Sequence, residues 1–314
     1  MYLGLVNILQ LKQINLRYKI MEQQILEIEL ASSTDTFSLF GVGDLHCGNI
    51  TFDEDRLKRT IRMIEQDPLA RWIAMGDMGE FINQSDPRFL SKSLPKSFKD
   101  EVDDLVAFQV EKIYDILEPI IPKCVGWHGG NHEYAVMKHY HTNPVKAFLR
   151  LIKAKLGLDI PDFGYGVSRT RLVIKCGRTA TIMINSAHGT GGGELPGASH
   201  NRIERAKGMF TDDVFFRGHT HELYASPGMV LGSTQRGELR TTEEPRMLLY
   251  TGNYFRTYPL GFASYGEQKI LRPLPMGSAY IQIKTHIPFK GGHAAFSVEG
   301  RHTPIIFGTL DVAE

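Results

Sequence analysis

Five short fragments of the chain carry side chains that could bind metal ions, and each follows an apolar run. Leaving His132 aside, they offer two Asp, one Asn and four His, in the fragments Gly43-Asp44-Leu45-His46, Gly76-Asp77, Gly130-Asn131-His132-Glu133, Ala187-His188-Gly189 and Gly218-His219-Thr220-His221. Carboxylate and imidazole together suit Mn, Fe, Zn or Ni, and the two oxygens of a carboxylate can bridge two cations. Residues two apart in an extended segment point to the same side, so Asp44 can act with His46. The five fragments together predict a site for a pair of divalent metal ions.

Each fragment taken alone also has an ordinary reading. A surface Asp near a satisfied His is about as common as a metal-binding pair, Gly-Asp is a common turn, and Gly-Asn-His-Glu is most often a loop. A purely structural metal site is a further alternative. A neutral Asn131 ligand and the spare His132 suit an open site better than a closed one. The order of the five fragments, each after an apolar run, favours the metal site.

The composition is that of an ordinary globular protein and excludes few functions. Hydrophobic residues make up 42% of the 314 residues, charged residues make up 23%, and the formal net charge is +1. No overall field therefore attracts nucleic acid or an anionic membrane, although a local basic groove would leave nucleic acid open as a partner. Three widely spaced cysteines argue against a disulfide framework and favour a reducing compartment, so we expect a cytoplasmic protein.

The N-terminal segment and the remainder of the chain differ in character. Residues 1–20 are moderately apolar but interrupted by polar side chains, and no basic segment precedes the apolar part. They match neither a signal peptide nor a membrane span, so we expect a peripheral extension, with Met21 as an alternative start. Residues 21–314 are then a single domain. After about residue 255 the chain is rich in Gly, Pro and aromatic residues, and one clear strand is predicted there, Ala279 to Lys284.

Strand and helix signals alternate through the first two-thirds of the chain. The predicted strands are Gln24–Leu30, Phe37–Val42, Trp72–Met75, Cys124–Trp127, a hairpin of Arg171–Lys175 with Thr179–Asn185, Val214–Phe216, Leu223–Leu231 and Met247–Thr251. The predicted helices are one after a capping box at Thr51 to Glu54, one that includes Val102 and stops at Pro119, one from Pro144 to Gly157, and Ser199–Gly208, with a loop at residues 84–98. Alternating elements with the candidate ligands at strand ends predict an α/β fold whose site lies at the carboxyl edge of a sheet.

The five fragments and their order resemble those of the calcineurin-like metallophosphoesterase superfamily, over roughly residues 37–225. The resemblance implies a four-layer α/β/β/α sandwich. It also implies two metal sites that share Asp77, one completed by Asp44, His46 and His221 and the other by Asn131, His188 and His219. His132 is then left over as a catalytic side chain that protonates the leaving oxygen or stabilises the transition state, with Asp44 orienting it.

The reaction implied by this resemblance is hydrolysis of a phosphate ester by a hydroxide that two divalent ions generate. Mn is the expected metal, with Fe, Zn or Ni as alternatives. Glu80 stands where the family more often has Asp or Asn, and it could hydrogen-bond a site residue or lie on the surface. No Arg follows Glu80, unlike in the protein Ser/Thr phosphatases, so a phosphodiester is favoured over a phosphoprotein. A DNA or RNA nuclease, a phosphomonoesterase and a non-catalytic interaction scaffold of the same superfamily are the alternatives.

Four residues outside the predicted ligand set are candidates for binding substrate. His200 and Arg202 come soon after the glycine-rich segment 189–193, although a solvated helix start is the simpler reading of this stretch. Asn253 and Arg256 follow the end of a predicted strand and could reach the cleft.

Overall fold

Two β-sheets build the fold of the computed structural model, which describes residues 23–32, 35–81, 94–95, 98, 104–176, 178–191, 196–233, 241–261, 264–268 and 270–284. In chain order the strands are β1 (Gln23–Glu29), β2 (Thr36–Val42), β3 (Ala70–Ala74), β4 (Cys124–His128), β5 (Asp162–Gly164), β6 (Ser168–Cys176), β7 (Arg178–Ala187), β8 (Val214–Arg217), β9 (Leu223–Ser233), β10 (Thr241–Thr251) and β11 (Tyr280–Lys284). The helices are α1 (Glu54–Gln66), α2 (Leu105–Leu117), α3 (Asn131–Tyr140), α4 (Pro144–Leu156), α5 (Pro196–Met209) and α6 (Tyr265–Gln268), and a 3₁₀ helix spans Glu118–Lys123.

The smaller sheet has the strand order β11-β2-β3-β4-β5, and its strands β2 to β5 are parallel. β11 pairs with β2 in the antiparallel direction. Parallel neighbours need long crossover connections, which helices α1 to α4 and the 3₁₀ helix provide. The carboxyl ends of β2, β3 and β4 therefore lie along one edge of the sheet, and they lead to Asp44, Asp77 and Asn131.

The larger sheet has the strand order β1-β6-β7-β8-β10-β9. β6 and β7 form the predicted hairpin, in an antiparallel register that pairs Ser168 with Ser186. β8 is parallel to both β7 and β10, and β9 runs antiparallel along β10. The carboxyl ends of β7 and β8 consequently lie side by side and lead to His188 and His219.

Three apolar clusters pack these layers against each other. The cluster between the sheets includes Leu39 of β2 and Phe216 of β8, and a second cluster packs Trp72 of β3 against α1, α2 and α4. The third cluster packs Ile203 of α5 against Phe215 of β8. Because Phe215 and Phe216 are consecutive and both buried, the larger sheet is covered on both faces there. The α/β class is confirmed, and the four-layer α/β/β/α order stays a prediction with which the clusters agree.

Helix α4 follows its local sequence as predicted. The side chain of Asn143 caps its first turn, Pro144 is its first residue, and Gly157 ends it with a left-handed φ of 71°. Proline suits the first helical position because its missing N–H has no partner there in any helix. Glycine adopts the left-handed backbone of the last turn at little cost.

Helix α1 begins differently from its prediction. Its N-cap is Asp53, whose carboxylate accepts the N–H of Arg56 at 3.1 Å. The predicted capping box from Thr51 to Glu54 is wrong, since the hydroxyl of Thr51 donates to the side chain of Asn49 at 2.7 Å instead. Aspartate serves as well as threonine at an N-cap, so the sequence alone left both residues available.

Helix α3 is an addition to the predicted elements, because Asn131-His132-Glu133 was read as a loop. Few apolar residues mark one face of this segment, and Gly130 before it offers no capping side chain. Glu133 compensates, since its carboxylate accepts the N–H of Gly130 at 2.9 Å. The helix therefore starts on the residue predicted as a metal ligand.

The remaining predicted strands and helices are confirmed, including the late strand β11, although β10 begins at Thr241 and not at the predicted Met247. Residues 1–20, most of the predicted loop at 84–98, and Val102 lie outside the described residues, and the division into an extension and a single domain stays a prediction. Among the described helices, none combines the length and the apolar character that crossing a bilayer requires.

Candidate metal centre

Loops at the carboxyl ends of strands from both sheets bring the predicted ligands together. Asp44 and His46 follow β2, Asp77 follows β3, Asn131 follows β4, His188 follows β7, and His219 and His221 follow β8. Backbone hydrogen bonds tie the first two loops to each other. The N–H groups of Leu45 and His46 both donate to the carbonyl of Asp77, at 2.9 and 3.1 Å. The relative position of these two ligand loops is thus fixed by the backbone.

Five of the seven predicted ligands have a left-handed backbone, which is uncommon for residues other than glycine. The φ angles are 49° at Asp44, 51° at His46, 48° at Asp77, 69° at His219 and 60° at His221. Such strain persists where surrounding contacts determine the conformation, and it concentrates at functional sites. The turn at Asp44 is held by its N–H, which donates to the carbonyl of Gly76 at 2.9 Å.

The first group of candidate ligands consists of Asp44, His46 and His221, whose potential ligand atoms lie within 4.8 Å of one another. Nε2 of His221 is 3.0 Å from Nε2 of His46 and 3.5 Å from Oδ1 of Asp44. Nδ1 of His46 is 3.0 Å from the carboxylate of Glu80. In the neutral ring, a proton on Nδ1 satisfies that contact and leaves the lone pair of Nε2 facing the group.

The second group consists of Asp77, Asn131, His188 and His219. Nε2 of His188 is 3.2 Å from Oδ2 of Asp77 and 3.2 Å from Oδ1 of Asn131, and Nδ1 of His219 is 2.7 Å from the same Asn131 oxygen. Nδ1 of His188 donates to the carbonyl of Met75 at 2.8 Å. That bond fixes the tautomer of His188 and leaves the lone pair of Nε2 facing the group.

These donor atoms fit divalent cations better than they fit one another. With Nδ1 of His188 committed to Met75, Nε2 of His188 and Oδ2 of Asp77 are both acceptors unless the ring gains a second proton. Ligand atoms bound to one ion at about 2.0–2.2 Å are about 3 Å apart. The contacts within the two groups, 2.7–3.5 Å, match that spacing. The mixed oxygen and imidazole donors suit a divalent transition metal.

Burial and mutual charge shift the pKa of the ligands in opposite directions. Burial, opposed in part by the charge of His188, raises the pKa of Asp44 to about 7. Burial lowers the pKa of His46, but the hydrogen bond and charge of Glu80 outweigh it and raise the pKa to about 9. Burial and then the charge of His188 lower the pKa of His219 to about 4. Opposed shifts within one small cluster are typical of functional sites.

Glu133 supports the site by accepting backbone hydrogen bonds, a role that the sequence did not indicate. Its side chain is buried, and its carboxylate accepts the N–H groups of Asp77 at 3.0 Å, Met78 at 2.8 Å and Gly130 at 2.9 Å. It thereby joins the loop after β3 to the start of α3. The partners are backbone groups, two of them far away along the chain, so no local pattern reveals them.

His132 lies beside the first group. Its ring centroid is 4.7 Å from that of His46, at an interplanar angle of 82°. Nδ1 of His132 is 2.6 Å from the backbone carbonyl of Glu80, so it carries a proton and Nε2 is the nitrogen left for chemistry. The group that orients the ring is therefore Glu80, where the resemblance implied Asp44. The carboxylate of Asp44 instead accepts the N–H of His219 at 3.0 Å.

Glu80 itself had two readings, a hydrogen bond to a site residue or a surface carboxylate. The hydrogen bond to His46 confirms the first reading, and the side chain is only 13% exposed. The same carboxylate lies 4.0 Å from Nδ1 of His132. Glu80 therefore belongs to the site although it is outside the predicted ligand set.

Two of the four substrate candidates hold the segment after β10 in place. The side-chain amide of Asn253 is buried and donates to the carbonyl of His221 at 2.6 Å. The guanidinium of Arg256 pairs with the carboxylate of Asp53 at 2.8 Å. These contacts give both residues a structural role, and substrate binding by them stays a prediction.

The other two candidates lie on helix α5. The guanidinium of Arg202 donates to the carbonyl of Gly191 at 2.7 Å, close to the loop that follows His188. The ring of His200 stacks on Tyr224, with 4.1 Å between the centroids. Arg202 thus contacts the loop that follows His188 of the second group. Substrate binding by Arg202 or His200 also stays a prediction.

No protein-family model matches the chain, and no curated protein matches it significantly. Similar solved structures include a Vps29 from Entamoeba histolytica complexed with zinc, at 12% identity and a TM-score of 0.33, covering 80% of this chain and 87% of that one. An uncharacterised protein of Streptococcus pneumoniae TIGR4 described as a predicted phosphoesterase has 11% identity, a TM-score of 0.32 and coverages of 80% and 86%. The calcineurin-like phosphoesterase YfkN from Bacillus subtilis has 12% identity, a TM-score of 0.31 and coverages of 83% and 88%.

Proposed function

We propose that the protein is a dinuclear metal-dependent phosphoesterase that hydrolyses a phosphodiester. The observation that carries this proposal is the convergence of the seven ligand side chains into two adjoining groups with His132 beside them. Asp77 is the ligand proposed for both ions, since its two oxygens can bridge and its loop is bonded to the loop of His46. Bound divalent ions, with Mn expected, would supply a hydroxide nucleophile near neutral pH and offset the charge of the phosphate oxygens.

The protein's own contribution is to orient the ester and to move one proton. While Nδ1–H of His132 donates to the carbonyl of Glu80, a second proton on Nε2 makes the ring an imidazolium that can release this second proton. As the bond from phosphorus to the leaving oxygen breaks, the leaving oxygen takes the proton from Nε2.

The preference for a diester rests on the charge of the substrate phosphate and on the arginines that could balance it. A phosphomonoester near neutral pH carries close to two negative charges, whereas a diester carries one. No Arg follows Glu80 in the sequence, and Arg256 is engaged by Asp53. Both observations support a substrate with a single negative charge.

Hydrolysis of bis-p-nitrophenyl phosphate and of p-nitrophenyl phosphate by the Mn-loaded protein tests this function. We expect faster hydrolysis of the diester. In the variant His132→Ala, turnover should fall by about 10²–10⁴-fold while the metal content is unchanged. His139→Ala is the matched control, since His139 lies on the same helix and is exposed. A preference for the monoester would overturn the diester assignment. If metals are bound and neither ester is hydrolysed, the non-catalytic interaction scaffold becomes the better interpretation.

A further inference from the structure

An aromatic residue from outside the five fragments borders the first group of ligands. The ring centroid of Phe255 is 5.6 Å from that of His46 and 6.0 Å from that of His221. These are the two imidazoles whose Nε2 atoms face each other at 3.0 Å. Phe255 therefore contacts the candidate centre without offering it a ligand atom.

The backbone of Phe255 is held in place on two sides. Its N–H donates to Oδ1 of Asn253 at 2.8 Å, and Nδ2 of Asn253 donates to the carbonyl of His221 at 2.6 Å. Phe255 also forms an isolated antiparallel bridge with Phe52. Tyr254 before it is completely buried, whereas Phe255 is only partly buried, as expected for successive side chains of an extended segment. The backbone that carries the ring is thus held in place, and the residue is partly open to solvent.

A phosphate ester bound by the first group must lie next to His46 and His221, and one of its substituents then comes close to Phe255. A phenyl ring donates and accepts no ordinary hydrogen bonds, so it cannot bind the phosphate itself. It can pack against another planar ring in an offset or edge-to-face arrangement, which adds to the burial of apolar area. Bases of nucleic acids use the same contact with aromatic side chains.

We propose that Phe255 is a specificity-determining residue that packs against a planar aromatic substituent of the substrate, a nucleobase or an aryl group. The choice of a phosphate ester as the ligand rests on the proposed function. A merely supporting role, in which the ring only packs against His46 and His221, leads to a different expectation. It would make the loss of Phe255 weaken all phosphate ligands equally.

Binding of phenylphosphonate and methylphosphonate to the Mn-loaded protein, measured by calorimetry, separates the two roles. Neither ligand can be hydrolysed as an ester, so turnover is not required. The wild-type protein should bind phenylphosphonate more tightly than methylphosphonate. The Kd of methylphosphonate divided by the Kd of phenylphosphonate should fall by about 3- to 10-fold in Phe255→Leu. Phe255→Tyr keeps the ring and should keep the ratio. Tyr258→Leu, which removes an exposed aromatic ring of the same segment, is the matched control.

The Mn content of each variant is measured alongside, and Phe255→Tyr keeps the test valid if Phe255→Leu loses metal. Equal weakening of both phosphonates, or binding of neither by the wild-type protein, would overturn the inference. Repeating the measurement with a cyclic nucleoside monophosphate in place of phenylphosphonate identifies the substituent. If binding of the nucleotide also depends on Phe255, the substituent is a nucleobase. If only binding of phenylphosphonate depends on Phe255, the substituent is an aryl group. If the protein prefers phenylphosphonate but hydrolyses no ester, the proposed function is wrong and this inference still holds.

Discussion

The carboxylate of Glu80 lies 3.0 Å from Nδ1 of His46, and the backbone carbonyl of the same residue lies 2.6 Å from Nδ1 of His132. One residue therefore orients a proposed metal ligand through its side chain and the proposed proton donor through its backbone. Burial raises the pKa of Glu80, but the hydrogen bond from His46 and the charge of His132 outweigh it and lower the pKa. A substitution at this position removes the first contact and leaves the second.

Glu80→Ala should therefore weaken metal binding by about 10- to 100-fold, because His46 loses the partner that fixes its tautomer. Competition between the protein and a chelating dye measures the affinity. Glu65→Ala removes an exposed carboxylate of α1 and should leave the affinity unchanged. Equal affinity of Glu80→Ala and the wild-type protein would mean that the contact with His46 is incidental.

Asp77→Asn tests whether one carboxylate serves both ions. A bridging Asp77 should make this variant lose both metal ions on dialysis, whereas His221→Ala should lose only the ion of the first group. Asparagine keeps the shape of the side chain and can still accept the N–H of His132, which Oδ1 of Asp77 accepts at 2.9 Å. Elemental analysis gives the metal content per chain. Retention of one ion by Asp77→Asn would restrict Asp77 to the second group.

Glu133→Ala should destabilise the metal-free protein by about 3–5 kcal/mol, because three buried N–H groups lose a charged acceptor. The estimate is below the sum of three independent bonds because neighbouring contacts are not additive. Urea unfolding in the presence of a chelator measures the free energy of unfolding. Glu204→Gln, at an exposed position of α5, should change it little. A small effect of Glu133→Ala would show that water replaces the carboxylate.

His128 should make the stability depend on pH. The ring is buried, with Nε2 2.8 Å from the hydroxyl of Ser186, and burial, with smaller effects of the charges of His188 and Arg217, lowers its pKa to about 3. The unfolded chain binds this proton near pH 6.5, so the stability is complete above about that pH and falls as the pH decreases toward about 3. The slope contributed by this one group is at most about 1.4 kcal/mol per pH unit.

His128→Gln keeps a hydrogen-bonding side chain and removes this titration, so the stability of the variant should fall less steeply between pH 6.5 and 4.5. Unfolding of both proteins in a chelator at several pH values gives the difference, in which the other histidines cancel. Parallel curves for the two proteins would contradict the assignment of the slope to His128.

The ligand fragments could be predicted because each is encoded locally. Asp44, for example, directly follows the apolar strand that carries it, and parallel strands deliver their carboxyl ends to one edge. The α/β class followed from the same alternation of elements. The capping residue of α1 was assigned wrongly because Thr51 and Asp53 are both good caps, and only the hydrogen bond of Thr51 to Asn49 distinguishes them.

Contacts between distant segments could not be predicted. Phe255 reaches His46 and His221 only after β10 has crossed the larger sheet, and its sequence neighbourhood resembles an ordinary loop. Glu133 belongs to a helix with little amphipathic pattern and acts on backbone groups of another loop. In both cases the information lies in the tertiary arrangement and not in the residue types.

The proposed ligands come from both sheets: Asp44, His46, Asp77 and Asn131 follow strands of the smaller one, and His188, His219 and His221 follow strands of the larger one. An ion held by Asp44 and His221, or by Asp77 and His188, would therefore be a cross-link between the two sheets. Such a cross-link would resist the sliding of one sheet over the other, which apolar contacts, being non-directional, oppose only weakly. Metal supply would then govern the mechanical rigidity of the fold as well as its chemistry.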